Sequence, residues 1–452
     1  MNPPKNGDRP YFIKEINEQP NALAYTLAQF MGQNFQLKMN RPPLDDQTLK
    51  SIQKTYITAC GTSYHAAMTA RYLIEEFAQI PTVVEPASEC GRHHSLVDET
   101  TLAVAVSQSG RSPDTLAALD LARRRGAHTL AVVNEADSPL TEAAMGTLLT
   151  LAGKVHSKAS TKAFTSQSLV LALLGLRLAQ SRNLLRKEWR QEIESFSRVP
   201  EMIREALMKK DLEPKVIEVA KFLNPYFQTF ILARGHLLPM ALEGALKLKE
   251  VAKIHAEGYP AGEFGHGPLA MAGPDTPIIM FSFSDEEEAN SLSLAFELKA
   301  RNAPLILITE DGPKKDQALA SMADTCLPLP QVPSRLRPMV AVIPLQLLAF
   351  HLGQARGLDV DHPGGTLQPE IRGLGSEDTA KSQIGPQIKS QPAPQILAPG
   401  APGSPVSVQA GSQSGPLDSG PDQAGNGGQA GGQGKAGARS GKKGNGGAPD
   451  HP

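Results

Sequence analysis

The sequence is poor in cysteine and has no large excess of charge of either sign. Its 452 residues include three cysteines, Cys60, Cys90 and Cys326, and carry a formal net charge of −1 at pH 7. Three scattered cysteines leave one unpaired and lack the spacing of metal ligands, which argues against a disulfide framework. We therefore predict that the protein resides in the reducing cytoplasm. A nearly neutral chain has no general attraction for nucleic acid or anionic membranes, so neither is expected as a partner.

Long apolar runs are also missing. Nowhere do about 18 apolar residues follow one another, and the segment Met1–Tyr11 is polar and contains proline. We therefore expect a protein that is neither secreted nor membrane-spanning. The pair His93 and His94 and the lone His156 have no carboxylate or cysteine at ligand-like spacing, so no metal is predicted, and no cofactor is expected.

The composition changes near Arg372. From there to Pro452 the chain is rich in Gly, Pro, Gln and Ser and has no Phe, Tyr or Trp, so it cannot bury enough apolar surface to offset the entropy of ordering it. We predict a disordered tail over 372–452 and a disordered start over 1–10. The remaining chain exceeds the usual size of one hydrophobic core, and the charged stretch Glu188–Asp211 predicts a connecting helix with a domain boundary near residue 200.

Short β-rich runs alternate with longer helical patterns before the tail, which is typical of parallel sheets covered by helices. We therefore predict an α/β protein with two domains, 11–200 and 201–371. Two helical segments, Ser166–Asn183 and Met339–Arg356, are apolar enough to be largely buried. The strand candidates form two sets: Tyr56–Ala59, Thr82–Glu85, Thr101–Val106, Thr129–Val133 and Thr147–Leu151, then Thr229–Ala233, Pro277–Phe283, Pro304–Thr309 and Thr325–Leu329.

Two polar turns, Cys60–Tyr64 and Ser107–Thr115, each follow a predicted strand and precede a predicted helix. The first N–H groups of a helix lack intrahelical partners and attract an anion, and Gly61 and Gly110 allow close approach of the backbone. Either turn alone could be an ordinary helix cap. Because both lie at the carboxyl ends of strands in one predicted sheet, we interpret them together as a phosphate site, with Cys60 as a small packed residue rather than a nucleophile.

Six motifs occur in order along the chain: Lys14–Pro20, Ala59–Ser63, Ser107–Gly110, Ala159–Thr165, Leu242–Glu250 and Ile254–Leu269. Together they resemble the sugar isomerase (SIS) family, and most closely the isomerase half of its glucosamine-6-phosphate synthases, the glutamine–fructose-6-phosphate aminotransferases. The resemblance extends from about Tyr11 to Pro363.

The resemblance implies two tandem SIS domains, each a flavodoxin-like parallel sheet flanked by helices, in a homodimer. Glu250 would be the base that moves a proton between C1 and C2 of the sugar. His266, contributed across the dimer interface, would open the sugar ring. Ala159 and Ser160 would line the sugar site, and the phosphate and sugar hydroxyls would be bound by Thr62, Ser63, Ser107, Gln108, Ser109 and Ser112.

The residue types suit this chemistry. Interconverting a ketose and an aldose or amino sugar moves one proton across an enediol or enolamine, and one carboxylate can serve both carbons. Lys247 stands one helical turn from Glu250 in the run Pro239–Lys253, where its charge could stabilise a sugar oxyanion. A solvated charged face that includes Glu243 is the alternative. The segment Gly258–Gly262 is interpreted as a turn that shapes a cleft, which favours the functional interpretation.

Three features depart from the family pattern. Asn2 stands where the synthases carry a glutaminase cysteine, so glutamine hydrolysis is not expected. Gln368 stands where a lysine forms a Schiff base with the sugar, and the later Lys381 is a weak replacement. The basic segment Lys154–Lys158 and Arg111 replace less basic family residues and favour a more anionic ligand.

We therefore predict a cytoplasmic enzyme that interconverts fructose 6-phosphate and glucosamine 6-phosphate, as a synthase-like or deaminase-like protein with ammonia rather than glutamine as the nitrogen partner. One alternative is a sugar-phosphate aldose–ketose isomerase without nitrogen chemistry. Another is a non-catalytic sensor or accessory subunit that binds a phosphosugar.

Overall fold

Two five-stranded parallel sheets organise the protein. The structure is a computed structural model, and it describes residues 9–31, 45–90, 96–184, 189–283, 288–311 and 317–364. The sheets and their flanking helices confirm the predicted α/β class with two similar units. Several predictions concern residues outside the described ranges: the tail with Lys381, Gln368 shortly before it, most of the predicted disordered start, and the pair His93 and His94.

The strands of both sheets lie close to the predicted runs, with one addition in the second sheet. The first sheet contains β1 (Lys54–Ala59), β2 (Thr82–Pro86), β3 (Thr101–Ser107), β4 (His128–Val133) and β5 (Gly146–Leu149). The second contains β6 (Gln228–Ala233), β7 (His255–Pro260), β8 (Ile278–Phe281), β9 (Leu305–Glu310) and β10 (Thr325–Leu329).

The helices precede, connect and cover these strands. Before β6 they are α1 (Tyr11–Phe30), α2 (Asp46–Ser51), α3 (Gly61–Ala78), α4 (Pro113–Arg124), α5 (Pro139–Ala143), α6 (Lys162–Ser181), α7 (Trp189–Phe196), α8 (Val199–Leu207) and α9 (Leu212–Leu223). After it they are α10 (Leu238–Ala252), α11 (Glu288–Ala300), α12 (Gln317–Met322), α13 (Arg337–Ala341) and α14 (Ile343–Ala355).

Both sheets have the same strand order. The first runs β2-β1-β3-β4-β5, and the second, read from its other edge, runs β7-β6-β8-β9-β10. Every pair is parallel. The strand order therefore reverses between β1 and β3 and again between β6 and β8, and open α/β sheets bind ligands at the carboxyl side of such points.

The strand β7 was missed in the sequence, and the predicted turn at Gly258–Gly262 is wrong. Gly258 pairs with Ile231 of β6, and the chain then enters a 3₁₀ helix, Ala261–His266. Gly258 is required at this place because a Cβ there would lie 2.6 Å from the backbone of Ala241 in α10. The glycine therefore allows α10 to pack directly on the edge strand.

The predicted connecting helix over Glu188–Asp211 is divided in the structure. It comprises α7 and α8, and the chain leaves α7 at Phe196 and enters α8 at Val199. Pro200 stands in the first turn of α8, where a proline is tolerated because no intrahelical N–H bond is lost. The boundary predicted near residue 200 remains a prediction.

The first helix joins helices that belong to both sheets. It packs against α6 of the first unit and against α8 and α14. Gln19 is fully buried, donates to Gln346 Oε1 of α14 at 2.9 Å, and accepts from Thr165 of α6 at 3.0 Å. The N-terminus of α1 is capped by a residue distant in sequence, because Tyr11 N and Phe12 N donate to the carboxylate of Asp361 at 2.9 and 2.7 Å.

Two apolar helices form much of the core, as predicted. Nearly all of α6 is buried, and so is most of α14. The stretch Ser334–Ala355 is long and apolar enough to cross a membrane, but 94% of its apolar window is buried inside the protein. This burial is what a core helix of an α/β protein requires.

Candidate functional site

The two predicted phosphate turns lie together at the carboxyl ends of β1 and β3, which are neighbouring strands. Gly61 opens α3 with a left-handed φ of +54°, and a Cβ there would meet open space. The 18-residue helix therefore starts directly at the strand end with its backbone uncovered. Cys60 is exposed, so its predicted packing is wrong, and its Sγ lies 3.7 Å from Thr115 Oγ1 at the end of the second turn.

The second turn is ordered by its own hydroxyls. Ser107 Oγ accepts from Gly110 N at 3.0 Å and lies 3.3 Å from the hydroxyl of Ser112, which precedes α4. Ser109 Oγ accepts from Arg111 N at 3.3 Å. Serine hydroxyls and the N-terminus of α4 are thus concentrated within a few residues. This arrangement offers several donors to one anion.

Arg111 is less available than the sequence predicts. Its side chain is mostly exposed, donates to the carbonyl of Asp137 at 3.0 Å, and forms an ion pair with Glu135 at 3.8 Å. Gln108 also lies at 3.5 Å from the same glutamate. The positive charge that was expected to favour an anionic ligand is therefore shared with a carboxylate of the loop after β4.

A charge cluster connects the first turn to α10. It comprises Thr62, His65, Glu243, Lys247 and Glu250, and we refer to it as the α3–α10 cluster. Lys247 Nζ donates to Glu250 Oε2 at 2.5 Å and to Thr62 Oγ1 at 3.1 Å, and it lies 3.4 Å from Glu243 Oε1. Glu243 also accepts from Thr62 Oγ1 at 3.1 Å and lies 2.7 Å from His65 Nδ1.

Burial divides this cluster. The side chains of Lys247 and Glu243 have no exposed surface, whereas that of Glu250 is 36% exposed. Burial alone would lower the pKa of Lys247, but the charges of Glu243 and Glu250 outweigh it, so the pKa is raised above its ordinary 10.5. Lys247 is therefore an ammonium at neutral pH, and Glu250 is the carboxylate of the cluster that a ligand can reach.

Comparison with known proteins agrees with this architecture. A protein-family model described as "SIS domain" matches the chain twice, at residues 48–177 and 225–353. The chain belongs to the SIS-domain family. Each match contains one of the two parallel sheets, the first beginning shortly before β1 and the second shortly before β6.

Among proteins similar to this SIS chain are "Glutamine--fructose-6-phosphate aminotransferase [isomerizing]" of Chlorobaculum tepidum, 36% identical over 364 residues, and that of Gloeobacter violaceus, 40% identical over 361 residues. Each alignment covers 79% of this chain, which spans 58% of the length of these relatives.

Solved structures give the same relationship. The "C-terminal domain of glucosamine-fructose-6-phosphate aminotransferase" from Francisella tularensis superimposes with a TM-score of 0.72 at 35% identity, covering 80% of this chain and all of that one. "Glucosamine-6-phosphate deaminase" from Thermotoga maritima has a TM-score of 0.60 at 23% identity, covers 78% of this chain and 98% of that one, and shows the shared fold.

The remaining predicted residues are distributed over both SIS units. Ala159 is buried and Ser160 half-buried, both just before α6 in the first unit. Ser63 is half-buried in the first turn of α3. His266 is exposed at the end of the 3₁₀ helix that follows β7, the edge strand of the second sheet.

From the sequence, Glu243 is expected only as part of a possible solvated face, and His65 is not identified as a member of the site. The alternative of a solvated charged face is wrong for Glu243 and Lys247, since both are fully buried. The signal was present, because Glu243, Lys247 and Glu250 recur at i, i+4 and i+7 on a helix whose other residues are mostly apolar. His65 stands one turn after Thr62 on α3, so it shares the face that meets α10.

Proposed function

We propose that this protein binds a sugar phosphate at the carboxyl ends of β1 and β3 and uses Glu250 to move a proton between C1 and C2. The observation that carries the proposal is the contact of Lys247 with both Glu250 and Thr62, at 2.5 and 3.1 Å. This contact joins the turn Cys60–Tyr64 of the first SIS unit to α10 of the second. A ligand held by its phosphate at the turn would have its carbon chain within reach of Glu250.

The phosphate would be held by backbone and hydroxyl donors. The first-turn N–H groups of α3 and α4 have no intrahelical partners, and these groups attract a dianion. The hydroxyl of Thr62 is engaged with Glu243 and Lys247, so this residue would contribute its N–H. The side chains that would bind the phosphate and sugar hydroxyls are those of Ser63, Ser107, Gln108, Ser109 and Ser112, with Ala159 and Ser160 lining the sugar.

Proton transfer would follow from the burial pattern of the cluster. Glu250 is open to a ligand on one side and held by the ammonium of Lys247 on the other. A carboxylate in that position can take a proton from one carbon and return it to the next. Lys247 would also stabilise the oxyanion of the enediol or enolamine, because a buried cation interacts strongly with developing charge.

The relatives favour amino-sugar phosphate metabolism as the setting. Two similar proteins carry names that refer to fructose 6-phosphate and to glucosamine 6-phosphate. We propose that this chain interconverts these two compounds in the cytoplasm with ammonia as the nitrogen partner. We also propose a homodimer in which the exposed His266 of each protomer enters its partner's site and opens the sugar ring.

Isomerisation without nitrogen chemistry is the second candidate. It is favoured by Gln368, because an amide cannot form the imine that the family's lysine forms at this position of the sequence. A reaction limited to aldose–ketose exchange needs only the proton transfer assigned to Glu250.

A single set of assays separates the candidates. The purified full chain is incubated with glucosamine 6-phosphate, or with fructose 6-phosphate and ammonium, while ammonia and both sugars are measured. Nitrogen transfer that is lost in Glu250→Gln and retained in the matched control Glu218→Gln, an exposed glutamate on α9, supports the first candidate. Aldose–ketose exchange without ammonia supports the second, and binding without turnover contradicts both.

Ligand binding can be tested separately from turnover. A ligand at a hundredfold excess over its Kd stabilises the native state by about 2.7 kcal/mol, so the melting temperature must rise. A melting temperature unchanged by either sugar phosphate contradicts the proposed function as a whole.

A further inference from the structure

The segment between β5 and α6, residues 150–161, ends in the sugar-lining pair Ala159 and Ser160 and is held by groups outside it. Asn134, which follows β4, accepts from Ala152 N at 2.8 Å and from Thr150 Oγ1 at 3.0 Å, and it donates to the carbonyl of Gly153 at 2.8 Å. Between these contacts Leu151 has a left-handed φ of +51°. A leucine keeps such a backbone only where its surroundings impose it.

The middle of this segment is fixed by α1. Glu15 Oε1 accepts from His156 N at 2.5 Å and from Ser157 N at 3.2 Å. The next amide, Lys158 N, donates at 3.0 Å to the carbonyl of Asp361, whose side chain caps α1. Three consecutive N–H groups immediately before Ala159 are thus bonded to the start of α1 or to the residue that caps it.

Glu15 makes these hydrogen bonds from the interior. Its side chain is almost completely buried, and its other oxygen, Oε2, has no hydrogen-bond partner among the described residues. Burial raises the pKa of the Glu15 carboxyl, while the two N–H donors act in the opposite direction. A buried carboxylate that accepts from two consecutive N–H groups of one turn is placed to define that turn.

We propose that Glu15 is a positioning residue for the sugar site: through the N–H groups of His156 and Ser157 it sets the place of Ala159 and Ser160 against the sugar, without contacting the phosphate. The inference deepens the proposed function and rests on it. The phosphate turns follow β1 and β3, whereas the hydrogen bonds of Glu15 go to the segment after β5. Loss of Glu15 should therefore weaken recognition of the sugar and leave recognition of the phosphate group unchanged.

The test compares two ligands and three variants of the full chain. Affinities for fructose 6-phosphate and for inorganic phosphate are measured by calorimetry in Glu15→Ala, Glu15→Gln and the control Gln29→Ala. Gln29 lies on the same helix and donates from an exposed position to the carbonyl of Leu149 at 3.3 Å. We expect Glu15→Ala to weaken the binding of fructose 6-phosphate by about tenfold or more, because tenfold corresponds to about 1.4 kcal/mol, roughly the contribution of one hydrogen bond to the sugar.

Glu15→Ala should change the affinity for inorganic phosphate by less than about twofold. Glu15→Gln should keep most of the affinity for fructose 6-phosphate, because an amide oxygen still accepts both N–H groups. Hydrogen exchange at His156 and Ser157 should be faster in Glu15→Ala. If Glu15→Ala does not fold, Glu15→Met takes its place in the same comparison, because methionine fills the buried volume but offers no comparable acceptor to the two N–H groups.

Two results would overturn the inference while leaving the proposed function intact. One is unchanged affinity for fructose 6-phosphate in Glu15→Ala. The other is an equal loss of affinity for fructose 6-phosphate and for inorganic phosphate, which would indicate a general structural role of Glu15. If the unmodified chain does not bind fructose 6-phosphate, the proposed function fails, and the inference fails with it.

Discussion

Replacing Glu243 by glutamine should strongly destabilise the protein, because it removes one of two negative charges beside a fully buried ammonium. Removing one partner of a buried ion pair costs about 3–5 kcal/mol. Lys247 retains Glu250 at 2.5 Å, so we expect the lower end, about 3 kcal/mol. Unfolding entropy is about 2.1 cal/mol/K per residue, so for a folded region of about 350 residues this loss lowers the melting temperature by about 4 °C.

A double-mutant cycle in urea, followed by circular dichroism, tests the origin of this loss. Lys247→Met should be destabilising by itself, whereas adding Glu243→Gln to it should cost less than it does in the unmodified chain, since both buried charges are then removed together. Glu201→Gln is the matched control, because its exposed pair with Arg204 contributes less than about 1 kcal/mol. Effects that add within about 0.5 kcal/mol, or a loss below about 1 kcal/mol for Glu243→Gln, would refute the reasoning.

The pH dependence supplies a further check on the same cluster. The folded-state pKa of Lys247 is raised above 10.5. Its contribution to stability is therefore complete below about that pH and is lost as the pH rises through the folded pKa. The difference in unfolding free energy between the unmodified chain and Lys247→Met should accordingly shrink in alkaline solution above pH 10.5.

Two further substitutions test the packing that positions the site. In chemical denaturation, Gly258→Ala should destabilise the protein by several kcal/mol, because the added Cβ meets the backbone of Ala241 at 2.6 Å. Gly61→Ala should cost only about 1–2 kcal/mol, because its Cβ would enter open space and only the left-handed backbone is unfavourable. Equal losses would contradict this assignment. Asp361→Ala should lower stability by about 1–2 kcal/mol through the lost cap of α1; an unchanged unfolding midpoint would show that the cap contributes nothing.

Much of the fold could be predicted because its strands are continuous apolar runs. All of β3 is buried, and a strand covered on both faces reads as uninterrupted Val, Ala and Leu. The edge strand β7 escaped detection because it contains Gly258 and Glu257 and is only partly buried. Its identity depends on pairing with β6, which local sequence does not encode.

Those residues of the candidate site that belong to one local sequence motif could be predicted. The turns at Ser107 and Gly61 could be located because each follows a strand and opens a helix. The partnership of Glu243 with His65 joins residues 178 positions apart, and it arises only when α10 packs against α3. Glu15 belongs to a matched motif, but its burial against residues 156–157 is likewise a result of tertiary packing.

The capping of α1 by Asp361 brings the two ends of the described region together. Tyr11 and Asp361 are separated by 350 positions in sequence, yet they share a hydrogen bond of 2.9 Å. A short linker between these points would close the folded region into a ring. The protein is therefore suited to circular permutation, in which new termini are placed in an exposed loop while both SIS units and α1 remain intact.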